Sequence, residues 1–249
     1  MRYIKNPSIT EPLSALLYLL VLLCLIGSLI SSDFASVGFC VLAICSFLIV
    51  FVCESLLKIY FTSFIRLLIQ FFIFSALILG EMCFMYGRIK LWDVMLHFLS
   101  GFIFGAVGVS LFIRLNKTTL DSLTISPAFM VIAIIGFSVF VGVIWEFFEF
   151  FCDNSFKTDM QKDSFITSIY SVALNSGGEN HTAKIFGIDS FSVKGRVYSG
   201  GYLDIGLIDT MKDMAVNIAG AIGFGIILLS HLKKKSRFTS FFIKEKTAE

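Results

Sequence analysis

Apolar positions gather into six long blocks separated by short polar joints, with a single long interruption. The blocks cover 12–30, 34–53, 64–85, 91–115, 127–152 and 207–232. Each is about as long as the roughly 20 residues that a helix needs to cross a hydrocarbon core of ~30 Å. The expected fold class is therefore all-α: a polytopic membrane helix bundle with six transmembrane helices. Only three Pro occur, so long helices run largely unbroken. Ser31-Ser32-Asp33 and Gly87-Arg88-Ile89-Lys90 are joints short enough to fold the first and second spans, and the third and fourth, into antiparallel hairpins.

The interruption lies between the fifth and sixth spans, where 153–206 forms the only sizeable part outside the membrane. Chain 1–249 reads as a single integral membrane domain with 153–206 as an extracytoplasmic cap. Within the cap, Ile185-Phe186-Gly187-Ile188 and Phe191-Ser192-Val193-Lys194 suit short strands or an interfacial cover. Over 163–174, a strand reading competes with a surface-lying helix.

Composition agrees with a membrane solvent: 57% of residues are hydrophobic, 15% are charged, and 29 are Phe. A net charge of +2 without a basic stripe excludes a nucleic-acid-binding surface. Six Cys with no CxxC spacing read as reduced residues. The first span follows Arg2 and Lys5 and lacks a small-residue cleavage site, so an uncleaved helix is expected in place of a signal peptide.

Cations set the orientation. Arg2, Lys5, Lys58, Arg66, Arg114, Lys117, Lys233, Lys234, Lys235, Arg237, Lys244 and Lys246 fall on one side, and the short joints opposite hold only Arg88 and Lys90. Basic segments stay cytoplasmic. Both termini are accordingly expected inside, in a bacterial cytoplasmic (inner) membrane, with the cap outside.

Three spans carry ionisable groups, which are costly in hydrocarbon and mark candidate sites. The fourth has Asp93 and His97, the fifth Glu146, Glu149 and Asp153, and the sixth Asp209, Asp213 and Asn217 beside Lys212. Spacings of three and four residues put each set on one helical face. Counted at ~1.5 Å per residue from the basic ends, all three sets reach a common height within about two turns of the outer boundary. One shared site accounts for this.

Carboxylates so close together cannot all stay ionised. Some must be protonated, paired with Lys212, Arg196 or Arg88, or neutralised by a divalent cation. Asp93, His97, Glu146, Glu149, Asp213 and Asn217 form the candidate ligand set, which suits Mg, Mn, Ca or Zn without choosing among them. The metal-free alternative uses His97, Glu146 and Asp213 as catalytic acid and base groups. Simpler readings stand beside these. Asp93 and Asp209 fit the first turns of their helices, where the dipole favours a carboxylate. His97 fits ordinary packing, and Glu149 and Asn217 fit helix-to-helix hydrogen bonds. Glu54 and Lys58 are spaced for an interfacial ion pair, and Glu81 lies below the common height. Stripes at Gly101, Gly105 and Gly108 and at Gly220 and Gly223 allow close helix approach, which should bring His97 and Asn217 together.

Trp92-Asp93 with His97 and Gly101, then Trp145-Glu146-Phe147-Phe148-Glu149, then Asp209-Thr210-Met211-Lys212-Asp213 with Asn217 and Gly220, resembles the YjdF-type family of bacterial inner-membrane proteins. The likeness covers roughly 91–225. Asp213, Asn217 and Gly220 are also similar to the Asp-x-x-x-Asn-x-x-Gly pattern of VanZ-like membrane proteins, some linked to glycopeptide resistance. Both resemblances imply a site on these three spans and no particular reaction. The functions left open are an enzyme acting at the outer leaflet on a lipid-linked or amphipathic substrate with the cap as a lid, a transporter or ion-binding protein, and a structural or envelope-interaction protein. GxSxG, HExxH and phosphate-cradling glycine loops are absent.

Overall fold

The computed structural model describes residues 10–59, 61–116, 120, 124–177, 180–234 and 239–243. The orientation argument's Arg2, Lys5, Lys117, Lys235, Arg237, Lys244 and Lys246 lie outside the described residues. Six helices are long and apolar enough to span a membrane. They are α1 (Thr10–Ile30), α2 (Phe34–Leu57), α3 (Ser63–Phe74, continuing as π-helical turns over Ser75–Met82), α5 (Trp92–Leu115), α6 (Pro127–Phe156) and α7 (Leu207–Lys233), with a four-residue α4 (Met85–Arg88) between the third and fourth spans. The third span stops short of the expected 85 because Phe84 takes a left-handed backbone conformation, φ 56°. The chain falls into two compact units, Met1–Gly142 with Met214–Glu249, and Val143–Asp213.

In the first unit, α1 and α2 form the expected hairpin. Asp33 caps α2 by accepting the Ser36 N–H at 3.2 Å and the Ser36 hydroxyl at 2.6 Å, satisfying a donor that the helix start leaves over. Leu17, Val21, Cys40, Ala43, Phe47, Phe74 and Ile78 join these helices to the third span. The large apolar side chains left exposed along α1, such as Leu19, Leu23 and Ile26, form the surface that a lipid solvent covers. The end of this unit where Arg66 starts α3 and Arg114 ends α5 is called the basic end below.

The Glu54–Lys58 pair is not formed. Lys58 ends α2 in a left-handed turn, φ 51°, and Glu54 is buried. Its carboxylate takes Arg66 in two-pronged fashion, Nε to Oε2 at 2.9 Å and Nη2 to Oε1 at 3.0 Å, and also the Phe61 N–H at 3.0 Å. Burial decides the partner, since a planar guanidinium satisfies both carboxylate oxygens at once and a lone ammonium does not. Around this clamp the loops close over the basic end, with Ile59, Phe61, Leu120 and Ile243 buried in one apolar cluster with Ile65, Ile103, Phe224 and Leu228.

The second unit holds the last turns of α6, the first of α7 and three antiparallel ribbons between them. β1 (Ser164–Ile166) pairs with β6 (Tyr202–Asp204), β2 (Ser168–Ser171) with β3 (Ala183–Phe186), and β4 (Ser190–Val193) with β5 (Arg196–Ser199). Strands thus prevail over the surface helix in 163–174. Gly201, at φ 123°, lies so close to the Ile166 backbone that a Cβ would sit 2.9 Å from its carbonyl carbon, which requires glycine there. Phe191 stacks on Tyr198 at 5.2 Å across the β4–β5 ribbon.

Candidate functional site

The Gly stripe on α5 exists because two other helices approach its backbone. A Cβ on Gly101 would enter the Asn217 carbonyl, 2.8 Å from its carbon, and one on Gly220 would enter the Phe98 carbonyl, 3.0 Å from the Phe102 nitrogen. Each helix of the α5/α7 pair thus seats a glycine on the other's backbone. From α6, the Ser138 hydroxyl donates to the Gly101 carbonyl at 2.8 Å. Gly142 leaves room for Asn217, whose Oδ1 would be 2.9 Å from a Cβ there. Three helices therefore meet at the level of Gly101, Gly142 and Asn217, all within the first unit.

Polar groups line this meeting point. Asn217 donates from Nδ2 to the Ser100 hydroxyl at 3.1 Å, and Ser100 donates to the His97 carbonyl at 2.8 Å. The carboxamide is thereby oriented, and its buried Oδ1 has no partner among the described residues. The expected approach of His97 and Asn217 takes this form, a chain of hydrogen bonds through Ser100. Such bonds cost little to keep in a hydrocarbon solvent and more to break, because no water replaces them.

Each helix carries an ionisable side chain one turn beyond this level: His97 on α5, Glu146 on α6 and Asp213 on α7. All three are buried. On α5, His97 Nε2 lies 3.7 Å from Asp93 Oδ1, too far for a hydrogen bond. Beside Asp93, the Trp92 indole N–H is buried with no acceptor among the described residues. On α6, within the second unit, Glu149 is buried and accepts the Trp145 indole N–H at 2.8 Å.

Two acidic residues serve the backbone instead. Asp209 accepts the Lys162 N–H at 2.7 Å. Asp153 accepts the Met160 and Gln161 N–H groups at 2.7 and 2.9 Å and the Thr158 hydroxyl at 2.7 Å. These carboxylates pin 158–162 between the end of α6 and the start of α7. The N–H that Asp209 accepts belongs to that loop, while Asp204 accepts the Ile208 N–H at the start of α7, at 2.8 Å. Farther along the same unit, withdrawal from water raises the Asp163 carboxyl above its ordinary pKa, and Asp159, Asp204 and Asp153 add to the shift.

Ser100, Ser138 and Gly142 were not among the site residues expected from sequence. A hydroxyl in an otherwise apolar span was the available signal, because such groups seek partners on neighbouring helices. For Gly142 there was none, since a glycine facing Asn217 and one facing lipid read alike.

The DUF2238 family of predicted membrane proteins matches residues 13–234, and the chain belongs to that family. No curated protein and no solved structure matches the chain.

Proposed function

We propose that the protein is a membrane enzyme acting on a lipid-linked or amphipathic substrate at the outer leaflet of a bacterial cytoplasmic membrane, with both termini inside. The observation that carries this reading is the meeting of α5, α6 and α7 at Gly101, Gly142 and Asn217. Continued by one turn, these helices carry His97, Glu146 and Asp213 outward from a crossing where the α5 and α7 backbones touch and α6 joins through Ser138 and Gly142. The likeness to YjdF-type and VanZ-like proteins falls on the same three helices.

In this reading His97, Glu146 and Asp213 exchange protons with the substrate. One of the two acids then serves as proton donor and the other as acceptor. A divalent cation is the second version of the same site, with Asp93, His97, Glu146, Glu149, Asp213 and Asn217 as its candidate ligands. His97 Nε2 and Asp93 Oδ1, 3.7 Å apart on one helix, would hold such an ion together. Bound there, the ion would act as a Lewis acid on the substrate's polar head. An enzyme is preferred to a transporter because buried apolar residues close the basic end of the first unit, whereas a transporter needs polar access from both faces. The cap then serves as a lid.

The test compares lipid extracts by mass spectrometry from host cells lacking the gene and from the same cells supplied with wild type, His97→Ala, Glu146→Ala or Asp213→Ala. An amphipathic species that accumulates without the gene should disappear with wild type and persist with each variant at equal membrane abundance. Clearance by all three variants rejects the reading.

A further inference from the structure

Sulfur atoms gather at the end of the first unit opposite the basic end. Cys24 lies on α1 and Cys40 on α2, each eight residues from Ser32 in the joining turn, so the antiparallel hairpin sets them at one height. Met82 and Cys83 come from the end of the third span. There the chain runs in π-helical turns over Ser75–Met82, leaves the helix at Cys83 and turns at Phe84. Cys40 is fully buried, and its thiol donates to the Met82 thioether, Sγ to Sδ 3.6 Å. Cys24 and Met82 both pack against the apolar cluster that contains Cys40, Phe47, Phe74 and Ile78. Cys24 lies within electrostatic reach of both Cys40 and Cys83. All three cysteines are free thiols.

We propose that Cys24, Cys40 and Met82, with Cys83 beside them, bind one soft monovalent cation of the Cu(I) type. Softness and charge choose the ion. Thiolate and thioether sulfurs select soft metals, whereas carboxylates and carbonyls suit the hard ones. A net charge is expensive at membrane depth. Cu(I) entering the contact between Cys40 and Met82 takes the place of the thiol hydrogen: the S–H bond breaks, a Cu–S bond forms, the proton leaves to water and no electron moves. Cation and thiolate then cancel, and the Met82 thioether adds a ligand without adding charge. Zn(II) would need a second thiolate for the same neutrality. Cys24 supplies a third sulfur from α1, and its half-buried position, like that of Cys83, leaves the ion a way in. The π-helical turns contribute too. Their wider winding changes which face of the span Met82 occupies, and such turns recur at functional sites. This site shares no residue with the meeting point of α5, α6 and α7 and does not rest on the reaction proposed there.

Anaerobic titration of the purified protein in detergent with Cu(I), against a chromogenic Cu(I) chelator, tests it. Wild type should withhold about one Cu(I) per chain, and X-ray absorption of the loaded protein should show sulfur neighbours. Cys40→Ser and the volume-conserving Met82→Leu should each weaken binding at least about tenfold, and Cys45→Ser, which removes an exposed thiol of α2, should not. Maleimide should label Cys24 and Cys83 more slowly once Cu(I) is bound. A wild type that withholds no copper overturns the proposal, as do nitrogen or oxygen neighbours in the absorption spectrum, which decide the matter even where a variant fails to fold. Binding unchanged in both Cys40→Ser and Met82→Leu, or weakened equally in Cys45→Ser, also overturns it.

Discussion

Replacing Gly220 with Ala tests the helix crossing on which the site rests, and Gly223, one turn further along α7, supplies the control. At Gly220 the new Cβ would enter the Phe98 carbonyl and lie 3.0 Å from the Phe102 nitrogen, both backbone atoms that cannot rotate away. Relief requires α5 and α7 to part by roughly 1 Å, an overpacking cost of ~1–3 kcal/mol. Parting also stretches the Asn217–Ser100 hydrogen bond, 3.1 Å long, worth ~0.6 kcal/mol in a membrane. At Gly223 the nearest atoms are side-chain carbons of Phe98 and Phe102, at 3.7 and 3.9 Å. There a methyl group makes ordinary contact, and Ala gains up to about 1 kcal/mol of helix propensity. The same propensity gain offsets part of the Gly220→Ala cost, leaving ~0.6–2.6 kcal/mol, so thermal unfolding in one detergent should lower its midpoint by roughly 1–10 °C, taking ~2–4 °C per kcal/mol at this chain length. Gly223→Ala should melt at or above wild type. Equal midpoints for the two variants would refute the crossing.

At the basic end, Glu54→Ala strands Arg66, whose side chain is 43% exposed. The loss should be about 2 kcal/mol, below the 3–5 kcal/mol of a fully buried pair, because the freed guanidinium reaches water. Glu54→Gln, which keeps an acceptor for the Phe61 N–H, should cost less in the same melt. The raised Asp163 pKa gives a pH test. The folded cap holds that proton more tightly than the unfolded chain, so the associated stability is complete below the unfolded pKa and is lost as pH rises through the folded one. Asp163→Asn should therefore slow hydrogen exchange of β1 and β6 at neutral pH and flatten its dependence on pH above ~4; faster exchange would contradict the assignment. Elemental analysis of purified protein should find about one divalent cation per chain, lost in His97→Ala, if the cation version holds; active protein without metal selects the acid–base version.

The six spans were legible because crossing hydrocarbon demands length and apolarity, and both are written residue by residue. The short hairpin at Asp33 was legible for a similar reason, since three polar residues leave no other fold. Glu54 was misread because its partner Arg66 belongs to the next helix, and a pairing across a turn leaves no periodic trace. The cap was half legible. Alternation around Phe191 suggested strands, but the pairing of β1 with β6 brings together residues nearly forty apart, which local pattern does not encode. For the site, depth counting selected His97, Glu146 and Asp213, and the glycine stripes indicated close approach. Which backbone each glycine meets emerged only from the packing, as did the part played by Ser100 and Ser138.

The account stands most directly on His97 and Asp213 serving one reaction from separate helices. Turnover of the accumulating lipid should be measured for His97→Ala, Asp213→Ala and the double variant in the same cells. Residues that act as a unit give grossly non-additive losses, so the double variant is predicted to be no slower than the slower single one. Losses that multiply, or wild-type turnover in either single variant, would contradict a shared site.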